Sequence, residues 1–361
     1  MKESKYEILV FKKLEPELIE TWKKLEKNCH NFIFQDLNFI QNYLDYNTKL
    51  NSNNLRFVVV RSREDNEAIC IFPFQIINKF SVKILQWLGT GDFDYCSPII
   101  KKDINLDNLF NSIWKDVLSS LDSYDLIFLR EQPEKIGIIS NPFVKLLPCD
   151  PDSKIYSINF DGNFNDYLTS IKNKKFISEF NRTEKKLKLS NSVDLKILNH
   201  EDRSLVPRDI INQKIKLLNK LNKRHNFNEN IINFYDNLAV NYKQKIILST
   251  LFINNKMIAA CLSLIHKNRF YYLIPVIFND DYNKYSPGKI LISFLINWSS
   301  SNEIKTFDFG LGEETYKKYW ANDSILLYRH VNTKTIKGSI VSLLIKIFYF
   351  VKNYLTNKNN S

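Results

Sequence analysis

The stretch FDFGLGEETYKKYW, residues 307–320, gathers carboxyl, ammonium and phenol groups within a short span. Side chains of these types can exchange protons with a bound substrate. Two of the chain's eight glycines, Gly310 and Gly312, also lie here. In a chain with so few glycines, we expect each one to stand where the backbone needs positive φ or where another group comes close.

A strand and a short helix are predicted to position these side chains. Alternation along the strand puts Phe307 and Phe309 on one face and Asp308 on the other. A carboxylate at the end of a sheet must be paired or hydrogen-bonded. Glu313 and Glu314 are expected in the first helical turn, where acids suit the helix dipole. On the residues alone, a helix cap followed by a solvated acidic turn stays an open alternative.

A second candidate segment begins a helix with the sequence SPGK. Ser286 suits the N-cap and Pro287 the first helical position, while Gly288 has no side chain to block an approaching group. Three free N–H groups at this helix end, beside Lys284 and Lys289, would form an anion site. The alternative is a well-formed helix start with no ligand.

The pattern of predicted elements repeats along the chain. In each half, helices precede three β-rich runs typical of an antiparallel meander, and a further helix and strand follow. We therefore expect a structural duplication. The proline-containing segment 147–153 marks the boundary, which gives domains at 1–150 and 151–335 and a C-terminal helix and tail at 336–361.

A basic helix is predicted over about 163–190. Its segment 172–188 has seven basic and two acidic residues, a net charge of +5. Phe176, Phe180 and Leu187 form a stripe that would pack and leave the charge outside. That charge is either a solvated face or a contact for an anionic acceptor or tRNA, with Arg182 as the candidate residue.

The remaining composition limits the function classes. The net charge of +12 favours anionic partners, or else reflects a lysine-rich solvated surface. The five cysteines are scattered without a CxxC pair, which indicates reduced thiols in a cytoplasmic protein. The five histidines show no metal-ligand spacing, so we expect no metal site. We also expect no signal peptide and no membrane span.

The segment SIVSLLIKIFYFVKNYL (339–355) is apolar nearly all round its predicted helix. Ser342, Lys346, Tyr349 and Asn353 form a narrow polar stripe at helical spacing. Two interpretations stay open: the helix packs against the second domain, or it touches a membrane surface near a lipid-linked acceptor.

Two of these segments together, 285–300 and 304–321, resemble the acetyltransferase domain of the CelD type, a branch of the GNAT superfamily related to the FemAB peptidyltransferases. Segments 164–187 and 88–100 are similar to further parts of that family. The motif positions that match are Pro287, Gly288, Asp308, Phe309, Gly310, Gly312, Glu313, Tyr316 and Lys317.

This resemblance implies an α/β fold of two tandem GNAT-like domains, each a mixed, mostly antiparallel sheet flanked by helices. In the superfamily, acetyl-CoA or another acyl-CoA lies in a V-shaped split between two strands, and its pyrophosphate rests on the following helix start. Here that start is Lys284 to Lys289, with Gly310 and Gly312 at the opposite strand. The usual motif has two or more glycines at this helix start, whereas Gly288 stands alone.

The same resemblance suggests residue roles. Tyr316 would protonate the departing thiolate, Asp308 or Glu313 would act as base, and Lys317 would pair with a carboxylate or an anionic substrate. Asp92, Asp94 and Tyr95 would either line the acceptor cleft between the domains, together with Arg182, or form a polar turn.

The predicted function is acyl-CoA-dependent N-acyl transfer to an amine, with an amino sugar or a cell-envelope or polysaccharide precursor as the acceptor class. The alternatives are FemAB-like aminoacyl transfer from tRNA and a non-catalytic tandem scaffold that binds anionic ligands.

Overall fold

Helices and strands alternate along the chain in the predicted order. The computed structural model describes residues 5–47, 49–79, 81–199, 201 and 205–360, with side chains as far as Val351 in the final helix. The helices are α1 (Pro16–Lys27), α2 (Leu37–Tyr46), α3 (Phe110–Ser120), α4 (Pro142–Leu146), α5 (Phe164–Ser170), α6 (Lys174–Ser190), α7 (Pro207–Lys220), α8 (Glu229–Asn241), α9 (Pro287–Ser301), α10 (Thr315–Trp320) and α11 (Ile336–Asn360).

The strands carry about half of the buried apolar residues of the described chain. They are β1 (Tyr6–Phe11), β2 (Cys29–His30), β3 (Leu55–Ser62), β4 (Ala68–Lys79), β5 (Val82–Trp87), β6 (Ile99–Lys101), β7 (Leu126–Pro133), β8 (Lys135–Ile136), β9 (Ile139–Ser140), β10 (Cys149–Asn159), β11 (Val193–Ile197), β12 (Ile246–Ile253), β13 (Lys256–His266), β14 (Arg269–Ile277), β15 (Thr306–Leu311) and β16 (Asp323–Thr333).

The chain divides into two compact units. The first contains residues 1–41, 48–153 and 326–361, and the second contains residues 42–47 and 154–325. The last strand and last helix therefore belong with the N-terminal part of the chain. The division points fall inside β10 and β16, so the proline-containing segment 147–153 is largely strand rather than linker.

In the first unit the strand order is β1-β3-β4-β5-β7-β16. The pairs are antiparallel except for β5 with β7, which is parallel at Ile84↔Leu126 and Leu85↔Ile127. Helix α3 connects this parallel pair, as a parallel crossover requires. The centre is aromatic, because Trp87, Trp114 and Phe74 surround the fully buried Phe143 at centroid distances of 4.9–6.3 Å.

In the second unit the order is β11-β12-β13-β14-β15-β10. The pairs are again antiparallel except one, β14 with β15, and helix α9 supplies the crossover. Phe307 is fully buried and its ring stacks on Phe270 at 4.9 Å. The two units thus have the same strand pattern, and the predicted duplication and α/β class are confirmed.

Two sequence expectations for the basic helix have different outcomes. Its stripe of Phe176, Phe180 and Leu187 is buried and its basic side chains are exposed, as predicted. The single helix predicted over 163–190 is instead two helices, α5 and α6. Asn173 accepts a hydrogen bond from the backbone N–H of Phe176 and so begins a new helix.

Helix α11 packs on β5 and β7 of the first unit, where we had considered the second domain as its partner. Val341 and Ile345 lie against a small apolar cluster of Val82, Ile84 and Leu126. Over the described residues, no helix has the length and apolar character needed to cross a membrane.

Candidate active site

The parallel pair β14 and β15 creates an opening in the sheet of the second unit. The two strands pair at Arg269↔Thr306, Phe270↔Phe307 and Tyr271↔Asp308. Beyond these positions β14 runs to Ile277 and β15 to Leu311 without further pairs between them in the described chain. This is the geometry of two strands that separate after a short paired region, and it leaves backbone groups free to meet a ligand.

Asp308 closes the paired end of this opening. It is fully buried, and its Oδ2 accepts a hydrogen bond from Arg269 Nη1 at 2.8 Å. Its Oδ1 accepts the backbone N–H of Gly310, also at 2.8 Å. The expectation of a paired carboxylate is confirmed, and both oxygens are engaged, which favours a positioning role for Asp308 over a role as base.

The two glycines bend the chain directly after this carboxylate. Gly310 has φ of 67° and Gly312 has φ of 116°, values that side chains disfavour. A Cβ on Gly312 would also lie 2.4 Å from Glu314 Oε2. The turn therefore needs glycine at both positions.

Lys317 fastens the same turn from the helix that follows. Its side chain is 4% exposed, and Nζ donates to the carbonyl oxygens of Leu311 at 2.6 Å and Gly310 at 3.3 Å. Nζ also pairs with Glu314 Oε2 at 2.9 Å. The predicted pairing of Lys317 with a carboxylate is thus present.

The acidic turn differs from the sequence expectation. Helix α10 begins at Thr315, so Glu314 is its N-cap and Glu313 lies before the helix and is exposed. Burial alone would raise the pKa of Glu314, but the adjacent Lys317 ammonium and its hydrogen bond lower it below the ordinary value. Glu314 is therefore an anion that holds Lys317.

Tyr316 lies with buried polar groups next to the opening. Burial, together with the nearby Glu314 carboxylate and Cys261, raises the pKa of Tyr316 well above that of a free phenol. Tyr272 is the first residue of β14 beyond the paired positions, and burial raises its pKa too. Burial likewise raises the pKa of the Cys261 thiol, to about 12. A phenol that stays protonated here can serve as a proton donor.

Lys214 is a site residue that sequence reasoning missed. Burial lowers the pKa of its ammonium group, and Cys261, Glu314 and Lys317 act on it electrostatically. Lys214 follows the buried Ile210 by four residues and Ile211 by three, so it lies on the apolar stripe of α7. This spacing in the sequence could have predicted that Lys214 is partly buried.

Side chains of α7 contact the β14 backbone beyond its paired region. Gln213 Nε2 donates to the carbonyl oxygen of Ile277 at 2.7 Å, and Lys214 Nζ donates weakly to that of Pro275 at 3.4 Å. Proline within a strand belongs at an unpaired edge because it has no N–H. This edge of β14 is thus partly occupied by α7.

The start of α9 differs from the predicted anion site. Ser286 has left-handed dihedral angles, φ 52° and ψ 58°, and its hydroxyl makes no capping bond. Its N–H bonds to Asn283, and its carbonyl oxygen takes the N–H of Lys289 at 2.9 Å. The N–H groups of Ser286 and Lys289 are therefore already engaged within the chain, and Pro287 has none to offer. Space is open at Gly288, where an added Cβ would come no closer than 3.8 Å to Ile277.

The lysines at this helix start contact aromatic rings. Lys284 Nζ lies 5.1 Å from the ring centre of Tyr285, and Lys289 Nζ lies 5.4 Å from that of Phe176. Lys284 is exposed and Lys289 is half-buried, and the charge of each can attract an anion to this helix start. Arg182, on α6, is also exposed.

The candidates in the first unit lie in a loop after β5. Tyr95 is fully buried and stacks on Phe32 at 4.1 Å, so it is a core residue. Asp92 is exposed and Asp94 is half-buried, and both act electrostatically on the buried Glu131. Their role toward an acceptor stays a prediction.

Glu131 occupies a strained bulge in β7. Residues 130 and 131 face one residue of β16, just as residues 309 and 310 face one residue of β10. Glu131, with φ of 53°, is therefore the counterpart of Gly310. Its backbone N–H donates to Asp152 at 3.3 Å, and Arg130 pairs with its Oε1 at 3.1 Å. Burial raises its pKa to about 8, with Arg130 opposing and neighbouring acids adding to the shift.

Known proteins give an independent view of the chain. Residues 174–318 match the model of an acetyltransferase (GNAT) domain. The GNAT assignment made from the sequence is confirmed, and the opening between β14 and β15 lies within the matched range. No curated protein matches the chain in sequence.

Solved structures share the fold of the whole chain at low sequence identity. FemX superposes with a TM-score of 0.60 at 9% identity, over 94% of this chain and 99% of FemX. A conserved protein of unknown function from Bacteroides thetaiotaomicron gives 0.54 at 10% identity, over 88% and 97% of the two chains. The C-terminal domain of a candidate lysylphosphatidylglycerol synthetase from Agrobacterium fabrum gives 0.51 at 9% identity, over 90% and 94%.

These likenesses show the fold, and the predicted α/β architecture of two similar units, each with a mostly antiparallel sheet, is thereby confirmed. In the described residues, no group of three or more His, Cys, Asp or Glu side chains is arranged to hold a metal ion.

Replacing Asp308 with Asn should destabilise the second unit. The variant leaves the Arg269 guanidinium, whose side chain is 21% exposed, without its carboxylate, at a cost of about 3–5 kcal/mol. Chemical denaturation measures the change, and Asp161→Asn, an exposed position, is the control. Adding Arg269→Gln to Asp308→Asn should restore part of the lost stability. If the losses of the two single variants simply added in the double variant, the two side chains would not be coupled.

Replacing Glu131 with Gln should change how stability depends on pH. Because the folded-state pKa of about 8 is above the ordinary 4.5, the native carboxyl contributes stability below about pH 4.5 and loses it as pH rises through 8. The variant cannot ionise, so its free energy of unfolding should rise relative to the native chain across this window, by a few kcal/mol at most. For the exposed control Glu134→Gln, the difference in free energy of unfolding from the native chain should not change with pH. If the difference for Glu131→Gln were equally independent of pH, the raised pKa of Glu131 would be disproved.

Proposed function

We propose that the second unit transfers an acyl group from acyl-CoA to an amine, with an amino sugar or a cell-envelope precursor as the acceptor class. The proposal is supported chiefly by the opening between β14 and β15, beside which Tyr316 and Lys214 have pKa values shifted in opposite directions. Groups whose surroundings push their pKa values apart are suited to act as acid and base in one reaction.

Proton transfer in this reaction requires one base and one acid. As the amine nitrogen forms a bond to the thioester carbonyl carbon, a neutral Lys214 accepts the proton that this nitrogen loses. When the carbon–sulfur bond breaks, Tyr316 donates its phenolic proton to the departing thiolate. Lys214 and Tyr316 then exchange the proton through solvent, and the products are an amide and a free thiol.

Several features fit the donor. Acyl-CoA supplies the activated thioester and a diphosphate. The open space at Gly288 admits the diphosphate, and Lys284 and Lys289 would neutralise it. Phe309 and Tyr272 provide an apolar wall, with their rings 6.2 Å apart.

Aminoacyl-tRNA is the second candidate donor, for a specific reason. Gln213 and Lys214 already bond to the β14 carbonyl oxygens that an extended donor would meet, and Ser286 and Lys289 use their N–H groups within the chain. These contacts reduce the backbone groups that are available to a CoA donor. The basic α6 offers an exposed cationic surface suited to a nucleic acid.

Incubation with acetyl-CoA and a panel of amino sugars and amines tests the proposal. Release of free CoA, followed with a thiol reagent, should require both substrates. A parallel assay with charged tRNA should give no transfer. Transfer from tRNA alone would establish the second donor, and thermal stabilisation by CoA without turnover on any amine would indicate a binding scaffold.

Replacing Tyr316 with Phe should lower kcat by about 100-fold, because the thiolate loses its proton donor. The KM for acyl-CoA should change little, since the ring stays in place. Tyr319→Phe, on the exposed side of α10, is the matched control and should keep full activity. Unchanged turnover in Tyr316→Phe would remove the phenol from the reaction.

Replacing Lys214 with Met should remove a limb of the pH profile. Because only the neutral amine accepts a proton, native activity should rise with pH and level off above the lowered pKa of Lys214. Lys214→Met should be slower by about 100-fold and lack this limb. Lys214→Arg should not restore it, since guanidinium stays charged, whereas exposed Lys216→Met should behave like the native chain.

A further inference from the structure

Helix α11 has an orientation opposite to that of an ordinary surface helix. A surface helix normally buries its apolar stripe and exposes its polar one. In α11 the polar residues Ser342 and Tyr349 are buried, at 6% and 5% exposed, and they share this inner face with Gly338. Of the polar stripe seen in the sequence, Ser342 and Tyr349 therefore face inward, while Lys346 is exposed.

Specific contacts hold the helix in this orientation. Gly338 lies so close to the backbone before β7 that a Cβ added to it would stand 2.0 Å from the carbonyl oxygen of Asp125. The Tyr349 hydroxyl donates to Asp152 Oδ1 at 2.7 Å, and the Arg329 guanidinium lies 3.8 Å from its ring centre. Rotating the helix to bury its apolar side would break each of these contacts.

The outward face of α11 is consequently apolar. Eight large hydrophobic side chains on it are between 47% and 83% exposed. They are Ile336, Ile340, Leu343, Leu344, Ile347, Phe348, Phe350 and Val351. The other exposed large hydrophobic residues among those described are scattered over six separate elements or loops. A contiguous apolar face of this size marks an interaction surface.

The charge of the helix indicates what covers this face. Its sequence contains four lysines and no acidic residue. Lys337 and Lys346, whose side chains are described, are both exposed. The acids next to the helix, Asp125 and Asp152, accept hydrogen bonds on its inner side. An apolar face on a helix whose charged residues are all lysines is complementary to the surface of an anionic lipid bilayer.

We propose that α11 docks this protein on an anionic bilayer surface, with the helix lying in the plane of the interface. Its described apolar face runs along about 15 residues, or about 22 Å. The inner face stays on β5 and β7 while the outer face enters the headgroup region. This surface does not depend on the proposed acyl transfer.

Flotation of the full chain with lipid vesicles tests the proposal. The chain should float with vesicles of phosphatidylcholine and phosphatidylglycerol, and much less with phosphatidylcholine alone or at high salt. Lys337→Gln and Lys346→Gln should each weaken binding to the anionic vesicles by about five-fold. Failure of the native chain to float would overturn the proposal.

A matched pair of triple variants tests the apolar face. Ile340→Gln with Leu344→Gln and Ile347→Gln should abolish flotation, while the Tm stays near that of the native chain because these side chains are exposed. Ile138→Gln with Leu189→Gln and Val240→Gln makes the same chemical change at scattered exposed positions and should leave flotation intact. Equal flotation of both variants would overturn the proposal. A second result would also overturn the proposal. Light scattering would show that the native chain is a dimer, the dimer would not bind vesicles, and only the α11 variant would be a monomer.

Discussion

The ion pair between Asp308 and Arg269 is the contact on which the candidate site depends. It joins the ends of two parallel strands where they are still paired, and it leaves them to separate immediately afterwards. The same carboxylate takes the N–H of Gly310, so the pair also sets the direction in which the chain leaves the sheet. Lys317 and Glu314 then hold the turn, which places Tyr316 at the opening. The position of Tyr316, the proposed proton donor, therefore follows from a buried carboxylate whose two oxygens are both engaged.

Much of the fold was predictable because its signals are local. The two meanders, their crossover helices and the buried stripe of α6 follow from apolar periodicity within short segments. The strained glycine turn at 310–312 also followed from composition, since the chain uses glycine rarely. Asparagine takes several of the other left-handed positions, including Asn254 and Asn255 between β12 and β13.

The parts that were missed depend on contacts distant in sequence. Arg269 precedes its partner Asp308 by 39 residues, and nothing near either residue reveals the pair. Lys214 belongs to a helix outside the motif and gains its character only from burial against β14. Ser286 has the right residue type for a cap, but the turn before it imposes a left-handed conformation. Helix α11 was ambiguous because its sequence pattern does not state which side faces the protein.

The sixth strand of the first sheet comes from outside the main run of its unit, whereas the sixth strand of the second sheet overlaps the beginning of that unit's main run. Strand β16, which pairs with β7, is made only after residues 154–325, and β10 precedes nearly all of the second unit. During synthesis β7 therefore has no partner on this side until β16 has been made. Until then β7 exposes unpaired backbone groups, which can capture strands of other chains. If translation stopped after residue 325, the first unit would be released with β7 as an unpaired edge strand. Formation of the first sheet therefore requires that β16 is synthesised, although the other strands of that sheet lie far earlier in the chain.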